Sequence, residues 1–414
     1  MNPIKEVTND INDYFIDFKK MYAKPYNKNT TSPYTKTRII LLNGTEFESN
    51  WFMHQFARNC EIEEIRQELA VVRKQEQQQQ KRIASLKPIN ESILETTIAY
   101  EQLAIDLTAT LAQNETDKYA IEALNFALLE DFDHLYRFAN LLAIDKGIDS
   151  ATLVGKYTEI MPGRPTISEH RYPKDDVRKP MNSKKAKLYS KLVANIITAA
   201  EQQTMNYYMN IAQWYKNDLG RKLYSEIGMI EEQHVTQYES LKDPNCTWLE
   251  QWVMHEYTEC YLYYSAIEEE TDEYIKSIWR EHFYMEVAHL KKAIELLEKY
   301  EKKSYKSVIG DGEFPTLLKH GTNKEYVRDV IARTINLTGN RTSYIDVNKL
   351  NDDADFFNYQ KNCILKVNDV PSHNVIDKTI SKLGKDYRYQ DSPHPIKELN
   401  NRTKDNTTVA RTKN

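Results

Sequence analysis

A carboxylate and an imidazole set three residues apart within a long helical pattern, with a second carboxylate thirty residues upstream, most narrow what this 414-residue chain can fold into. Glu231 and His234 lie in a run whose apolar residues (Leu223, Ile227, Ile230, Tyr238, Leu241) recur at helical spacing, so both side chains share one helix face. Glu201 stands thirty residues earlier, inside Ile197-Thr198-Ala199-Ala200-Glu201, and Asn217-Asp218-Leu219-Gly220 breaks the pattern between them. Two helices folded back at that break bring Glu201, Glu231 and His234 to one level. The same spacing holds for Glu101, Asp131 and His134, and again for Glu256, Glu286 and His289. With 61 acidic residues and 10 histidines in the chain, chance supplies about 0.2 such sets. Three sets imply three antiparallel helix pairs.

A glutamate on one helix and Glu-x-x-His on the next form the inward-facing ligand set of di-iron and di-manganese carboxylate bundles. On these residues the chain resembles the ferritin-like superfamily. The resemblance implies an all-α fold, a ferritin-like antiparallel four-helix bundle with a long crossover, extended here by an additional helix pair and by N- and C-terminal additions. It further implies an oxidoreductase with a dinuclear iron or manganese centre acting on O2, peroxide or a small organic substrate. The expected ligands are Glu101, Asp131, His134, Glu201, Glu231 and His234. Asp131 departs from the pattern because Asp replaces Glu, and Glu130, four residues before His134, is its alternative. Glu256, Glu286 and His289 form a third set, with Glu259 one turn after Glu256 able to replace it. Three sets exceed what two ions need. The favoured reading makes pairs one and two the core with pair three outside; pairs two and three, or convergence of all three on a larger cluster, stay open.

Along the chain, residues 1–90 read as an N-terminal extension with a polar helix, 91–300 as the helical domain and 301–414 as a C-terminal extension, partly disordered. In the first of these, Asn9 to Tyr22 suggest a short amphipathic helix and 25–36 a loop. A helix starts near 60 on Ile62, Ile65, Leu69 and Val72. Its continuation, Arg73-Lys74-Gln75-Glu76 and four further glutamines, reads as solvated. Site-bearing helices are expected at about 91–112, 117–143, 185–216, 219–241, 247–269 and 271–299, with Asn90 capping the first. Residues 146–184, punctuated by Gly147, Gly155, Pro162, Gly163, Pro165, Pro173 and Pro180, form the crossover. It could serve as a lid, and His170, beside Glu169 and Arg171, is the histidine it could bring to the site. Among 28 tyrosines, Tyr100, Tyr136, Tyr207, Tyr208, Tyr238, Tyr263 and Tyr264 lie near the three sets, as packing residues or as donors to the centre. Beyond 338 the chain reads as weakly packed, and its last fifteen residues as disordered.

Eleven glycines suit long uninterrupted helices, and a net charge of −5 gives no reason to expect a nucleic-acid partner. The four cysteines form no C-x-x-C pair, which argues against zinc ribbons, a disulfide framework and a rubredoxin-like electron-transfer module. Electrons would then come from a separate donor. Without an apolar signal core or a membrane-length apolar run, a soluble cytoplasmic protein with no membrane partner is expected, self-associating as a homo-oligomer. Two readings compete: metal storage or sequestration, which the additional helix pair and terminal additions would obstruct, and a metal-free helical scaffold whose Glu/His pairs are ion pairs.

Overall fold

The computed structural model describes residues 1–155, 157–164, 166–364 and 369–387. The chain is mostly helical: α1 (Pro33–Arg58), α2 (Glu63–Ala84), α3 (Ile93–Asn114), α4 (Lys118–Lys146), the short α5 (Ala151–Val154) and α6 (Thr166–Glu169), α7 (Leu188–Trp214), α8 (Asp218–Glu239), α9 (Trp248–Glu269), α10 (Glu273–Glu301), α11 (Lys306–Ile309), α12 (Lys324–Thr334), α13 (Asp355–Cys363) and α14 (Pro371–Leu383). Among the described residues β1 (Leu337–Asn340) and β2 (Ser343–Asp346) form one antiparallel pair, Leu337 opposite Asp346. Among the described residues no helix is long and apolar enough to cross a membrane.

The helix ends follow local chemistry. Ser92 and Thr247 close capping boxes with Glu95 and Glu250, so α3 is capped by Ser92 and not by the expected Asn90. Asp117, Asn217 and Asp272 accept first-turn amides of α4, α8 and α10. Gly147 stops α4 at φ 67°, a conformation glycine adopts without strain.

Two compact units form, and they do not follow the expected linear division at 90 and 300. The first comprises Met1–Glu91, Pro180–Gln203 and Lys242–His320; the second comprises Ser92–Lys179, Thr204–Leu241 and the chain from Gly321. The chain passes from the first to the second within α7.

In the first unit α1 lies against α2 and α9, and α10 lies against α9 and α2, closing a ring of four helices. Met53, Phe56, Leu69, Val72, Trp252, Ile278, Trp279 and Leu290 fill it, each worth about 1.5–3 kcal/mol of burial for a Leu-sized side chain. The third helix pair, expected outside the core of the others, thus packs on helices from the supposed extension. The polar end of α2 is not solvated either: Gln75, Glu76, Gln78, Gln79 and Arg82 are buried. Gln75 Nε2 donates to the Ile11 carbonyl at 2.7 Å, and Gln78 accepts from the Ile16 amide at 2.8 Å and donates to its carbonyl at 2.9 Å. These side chains replace the helix expected for Asn9 to Tyr22, where only Ile11–Tyr14 makes a 3-10 turn.

In the second unit α3 lies on α4, and α4 on α8, with Leu103, Leu107, Leu124, Leu128, Leu135, Phe138 and Ile227 inside. The segment after α4 is pinned to that helix. The Arg164 amide donates to the Leu129 carbonyl at 3.0 Å, and a Cβ on Gly163 would stand 2.3 Å from the same oxygen. Past 338 the packing is firmer than expected. α14 covers α4 and α8 with Val375 and Ile376 buried, and Glu226 of α8 accepts the Ser372 amide and hydroxyl at 2.7 and 2.8 Å. The last fifteen residues lie outside the described ones.

Candidate metal centres

Helical i, i+3 geometry sets the second unit's centre. Glu231 and His234 project from one face of α8, Asp131 and His134 from one face of α4, and Glu101 from α3, all at most 1% exposed. Glu231 is shared: its Oε1 lies 3.0 Å from His134 Nδ1 and its Oε2 3.1 Å from His234 Nδ1. His234 Nδ1 is also 3.2 Å from Asp131 Oδ1. Ligand atoms of Glu101, His134 and Glu231 lie within 4.8 Å of one another. The two imidazole centroids are 5.8 Å apart. Tyr208 donates to Glu101.

Both imidazoles turn Nδ1 inward and Nε2 outward, each onto a carboxylate. His134 Nε2 meets Glu169 at 3.2 Å and His234 Nε2 meets Glu130 at 2.8 Å. Glu130 in turn pairs with Arg171 and, at 3.3 Å, with Arg164. Glu130 is therefore the outer partner of an imidazole and not the substitute for Asp131 that its sequence position allowed. His170 does not enter; its Nε2 binds Glu226 at 3.0 Å. The crossover contributes Glu169, Arg164 and Arg171 instead, which no helical spacing signals. Glu201, also buried, lies on α7 just before the chain leaves the first unit.

Charge follows this layout. Burial works against ionised Glu130, yet Arg171, His234 and Arg164 hold its carboxyl at about 2. Burial likewise opposes charge on Glu231, but hydrogen bonds from His134 and His234 bring it well below the carboxylate range. Burial drives Glu101, Asp131 and Glu169 upward. His134 is raised well above its ordinary value because Glu169 and Glu231 outweigh its desolvation. One oxygen each of Glu101 and Glu169, and Oδ2 of Asp131, receive no hydrogen bond. Buried acceptors left so are costly unless a cation satisfies them, and the mixed carboxylate–imidazole set suits iron or manganese.

The first unit repeats this layout. Glu286 and His289 on α10, Glu256 on α9 and Glu76 on α2 bring ligand atoms within 4.8 Å of one another; Glu46, Glu76 and Glu259 do the same, so Glu76 belongs to both groups. His289 Nδ1 lies 3.0 Å from Glu286, 3.1 Å from Glu76 and 3.7 Å from Glu256, while its Nε2 faces Gln75 at 2.8 Å. Both Glu256 and Glu259 face the cluster, so neither replaces the other. Glu46, Glu76 and Gln79 were missed by the sequence reading although their spacing is that of the other sets, thirty then three. A template that required histidine passes over Gln79. Its Nε2 donates to Glu46 at 3.2 Å and to Glu286. Tyr263 donates to Glu46 and lies 3.1 Å from His282.

Compared with protein-family models, curated proteins and solved structures, the chain matches none.

Proposed function

We propose that the second unit is a ferritin-like helical bundle carrying a dinuclear iron or manganese centre, and that the chain is an oxidoreductase acting on O2, peroxide or a small organic substrate. The observation that carries this reading is the inward Nδ1 and outward Nε2 of both His134 and His234 around the shared Glu231. Glu130 and Glu169 accept the Nε2 protons and thereby fix the tautomer in which each Nδ1 can offer a lone pair inward. Glu231, with one oxygen toward each imidazole, would be the ligand shared by the pair. Glu101 and Asp131 supply further oxygens. Metal held there would supply one-electron redox chemistry, with electrons from a separate donor. The chain's own part is to bury and orient. Tyr208 holds Glu101, the guanidinium of Arg171 holds Glu130, and burial of every ligand keeps bulk water away. Loading requires the Nδ1 protons to leave, so affinity should rise with pH.

The test is iron content and O2 uptake after anaerobic Fe2+ loading of the metal-free chain, wild type against Glu231→Ala. The variant should hold about two fewer ions per chain and lose most of the O2 uptake. Equal iron and equal uptake in both would refute the proposal.

A further inference from the structure

The first unit's cluster is more than a packing accident. We propose that it is a second, separate centre for a pair of divalent cations, favouring a harder ion such as Mn2+ because its donors are nearly all carboxylate oxygens. Five carboxylates (Glu46, Glu76, Glu256, Glu259 and Glu286) are buried at 0% exposure around His289, with the His255 imidazole 3.9 Å from Glu259. Among the described residues no lysine or arginine forms an ion pair with any of them. Five negative charges in a dry helical core demand protons or cations. Two divalent ions nearly neutralise them, and Glu76, common to both groups of ligand atoms, is placed to bridge.

Independent observations point to a ligand and not only to acidity. Both oxygens of the fully buried Glu259 lack a hydrogen-bond donor. The remaining polar groups act as an outer layer: Trp252 donates to Glu256, Tyr263 and Gln79 to Glu46, and Gln75 faces His289 Nε2 as Glu130 faces that of His234. His255, its Nδ1 3.3 Å from Glu48 and its Nε2 3.9 Å from Glu259, also lines a cavity of about 610 Å³ with Glu48, Phe52, Lys191 and Lys242. Gln79, where the other three sets carry His, removes one imidazole and with it much of the preference for softer ions.

The test titrates the full metal-free chain with Mn2+ alone, reading free Mn2+ by electron paramagnetic resonance. Three proteins are compared: wild type, Glu231→Gln, and Glu76→Gln/Glu259→Gln. The double variant should bind about two fewer ions per chain than wild type, whereas Glu231→Gln should keep those two. Thermal midpoints report folding independently: Mn2+ should raise that of Glu231→Gln, and the double variant should stay folded in apo form because it sheds buried charge. Equal Mn2+ uptake by the double variant and wild type, or complete loss of uptake in Glu231→Gln, would overturn the proposal. Gln79→His in the Glu231→Gln background gives a second check that leaves all five carboxylates in place. Restoring an imidazole should strengthen Co2+ binding by about tenfold or more, seen in the visible spectrum, with Mn2+ changing far less; unchanged Co2+ affinity would count against the site. Since Glu231 serves only the second unit, the proposed function can fail without this centre failing, and the reverse.

Discussion

Replacing Glu130 with alanine separates an outer-layer role from a ligand role. Glu130 is fully buried and joins His234 Nε2, Arg171 and Arg164. Deleting one partner of a buried ion pair costs about 3–5 kcal/mol because the remaining charge keeps its desolvation. Here the loss is cushioned. Arg171 retains Asp176 at 2.8 Å, and Arg164 retains the carbonyls of Phe126 and Thr334 and the face of the Phe126 ring 4.1 Å away. The lower half of the range, about 3–4 kcal/mol, is therefore expected. At about 2–4 °C per kcal/mol for a unit of this size, the metal-free midpoint should fall by roughly 6–16 °C.

Metal binding gives the second readout. Without Glu130, His234 loses the acceptor that fixes its tautomer, and affinity at that centre should drop about 10–100-fold with the number of ions unchanged. Glu130→Gln, which keeps shape and an acceptor but not the charge, should fall between wild type and alanine on both scales. Calorimetric unfolding with and without Fe2+, alongside metal titration, measures both. A lost ion would make Glu130 a ligand, and an unchanged midpoint would refute the buried-pair argument.

Three further outcomes follow from other parts of the chain. Gly163→Ala should destabilise by about 1–3 kcal/mol, because its Cβ would meet the Leu129 carbonyl and push Arg164 away from Glu130; urea unfolding reads this directly. Burial alone would raise Glu226, but hydrogen bonds from His170 and Ser372 lower its carboxyl below the ordinary 4.5. A lowered folded value means stability fully present above pH 4.5 and lost as pH falls through the folded value, so the advantage of wild type over Glu226→Gln should fade as pH drops below 4.5. Glu259→Leu should raise metal-free stability by about 1–3 kcal/mol by removing a buried carboxyl with no hydrogen bond, while shrinking the thermal shift given by Mn2+.

What the sequence revealed and concealed has a physical basis. Helices α3, α4 and α7 to α10 announce themselves because leucines and aromatics keep helical spacing, with the site residues as isolated exceptions. On α1 the inward face carries Thr45, Glu46, Glu48, Ser49 and Asn50, so its buried side is nearly as polar as its outer one and the apolar period is blurred. The same holds for α2 from Gln75 to Arg82, where a glutamine run that reads as solvated is instead spent on Ile11, Ile16, His289 and Glu46. Polar side chains with buried partners look like surface until those partners are known. Arg164, Glu169 and Arg171 were illegible for a different reason: they reach Glu130 and His134 from irregular chain or from the end of the one-turn α6, too short for any periodicity to link spacing to direction.

The two clusters solve one electrostatic problem in different ways, and the difference bears on the chain without metal. In the second unit the outer carboxylate Glu130 is matched by two guanidinium groups, and Glu231 by two imidazoles, so most of the buried negative charge has a counter-charge built in. In the first unit five carboxylates have His289 and, 3.9 Å from Glu259, His255, while Gln75, Gln79, Trp252 and Tyr263 offer dipoles without charge. Dipoles can orient carboxylates but cannot neutralise them. The first unit must take up protons whenever cations are withheld. Burial and mutual repulsion with neighbouring carboxylates accordingly hold Glu46, Glu256 and Glu259 well above the ordinary range. Raising the pH of metal-free protein forces those protons off, so the first unit should loosen, and added Mn2+ should reverse the loosening.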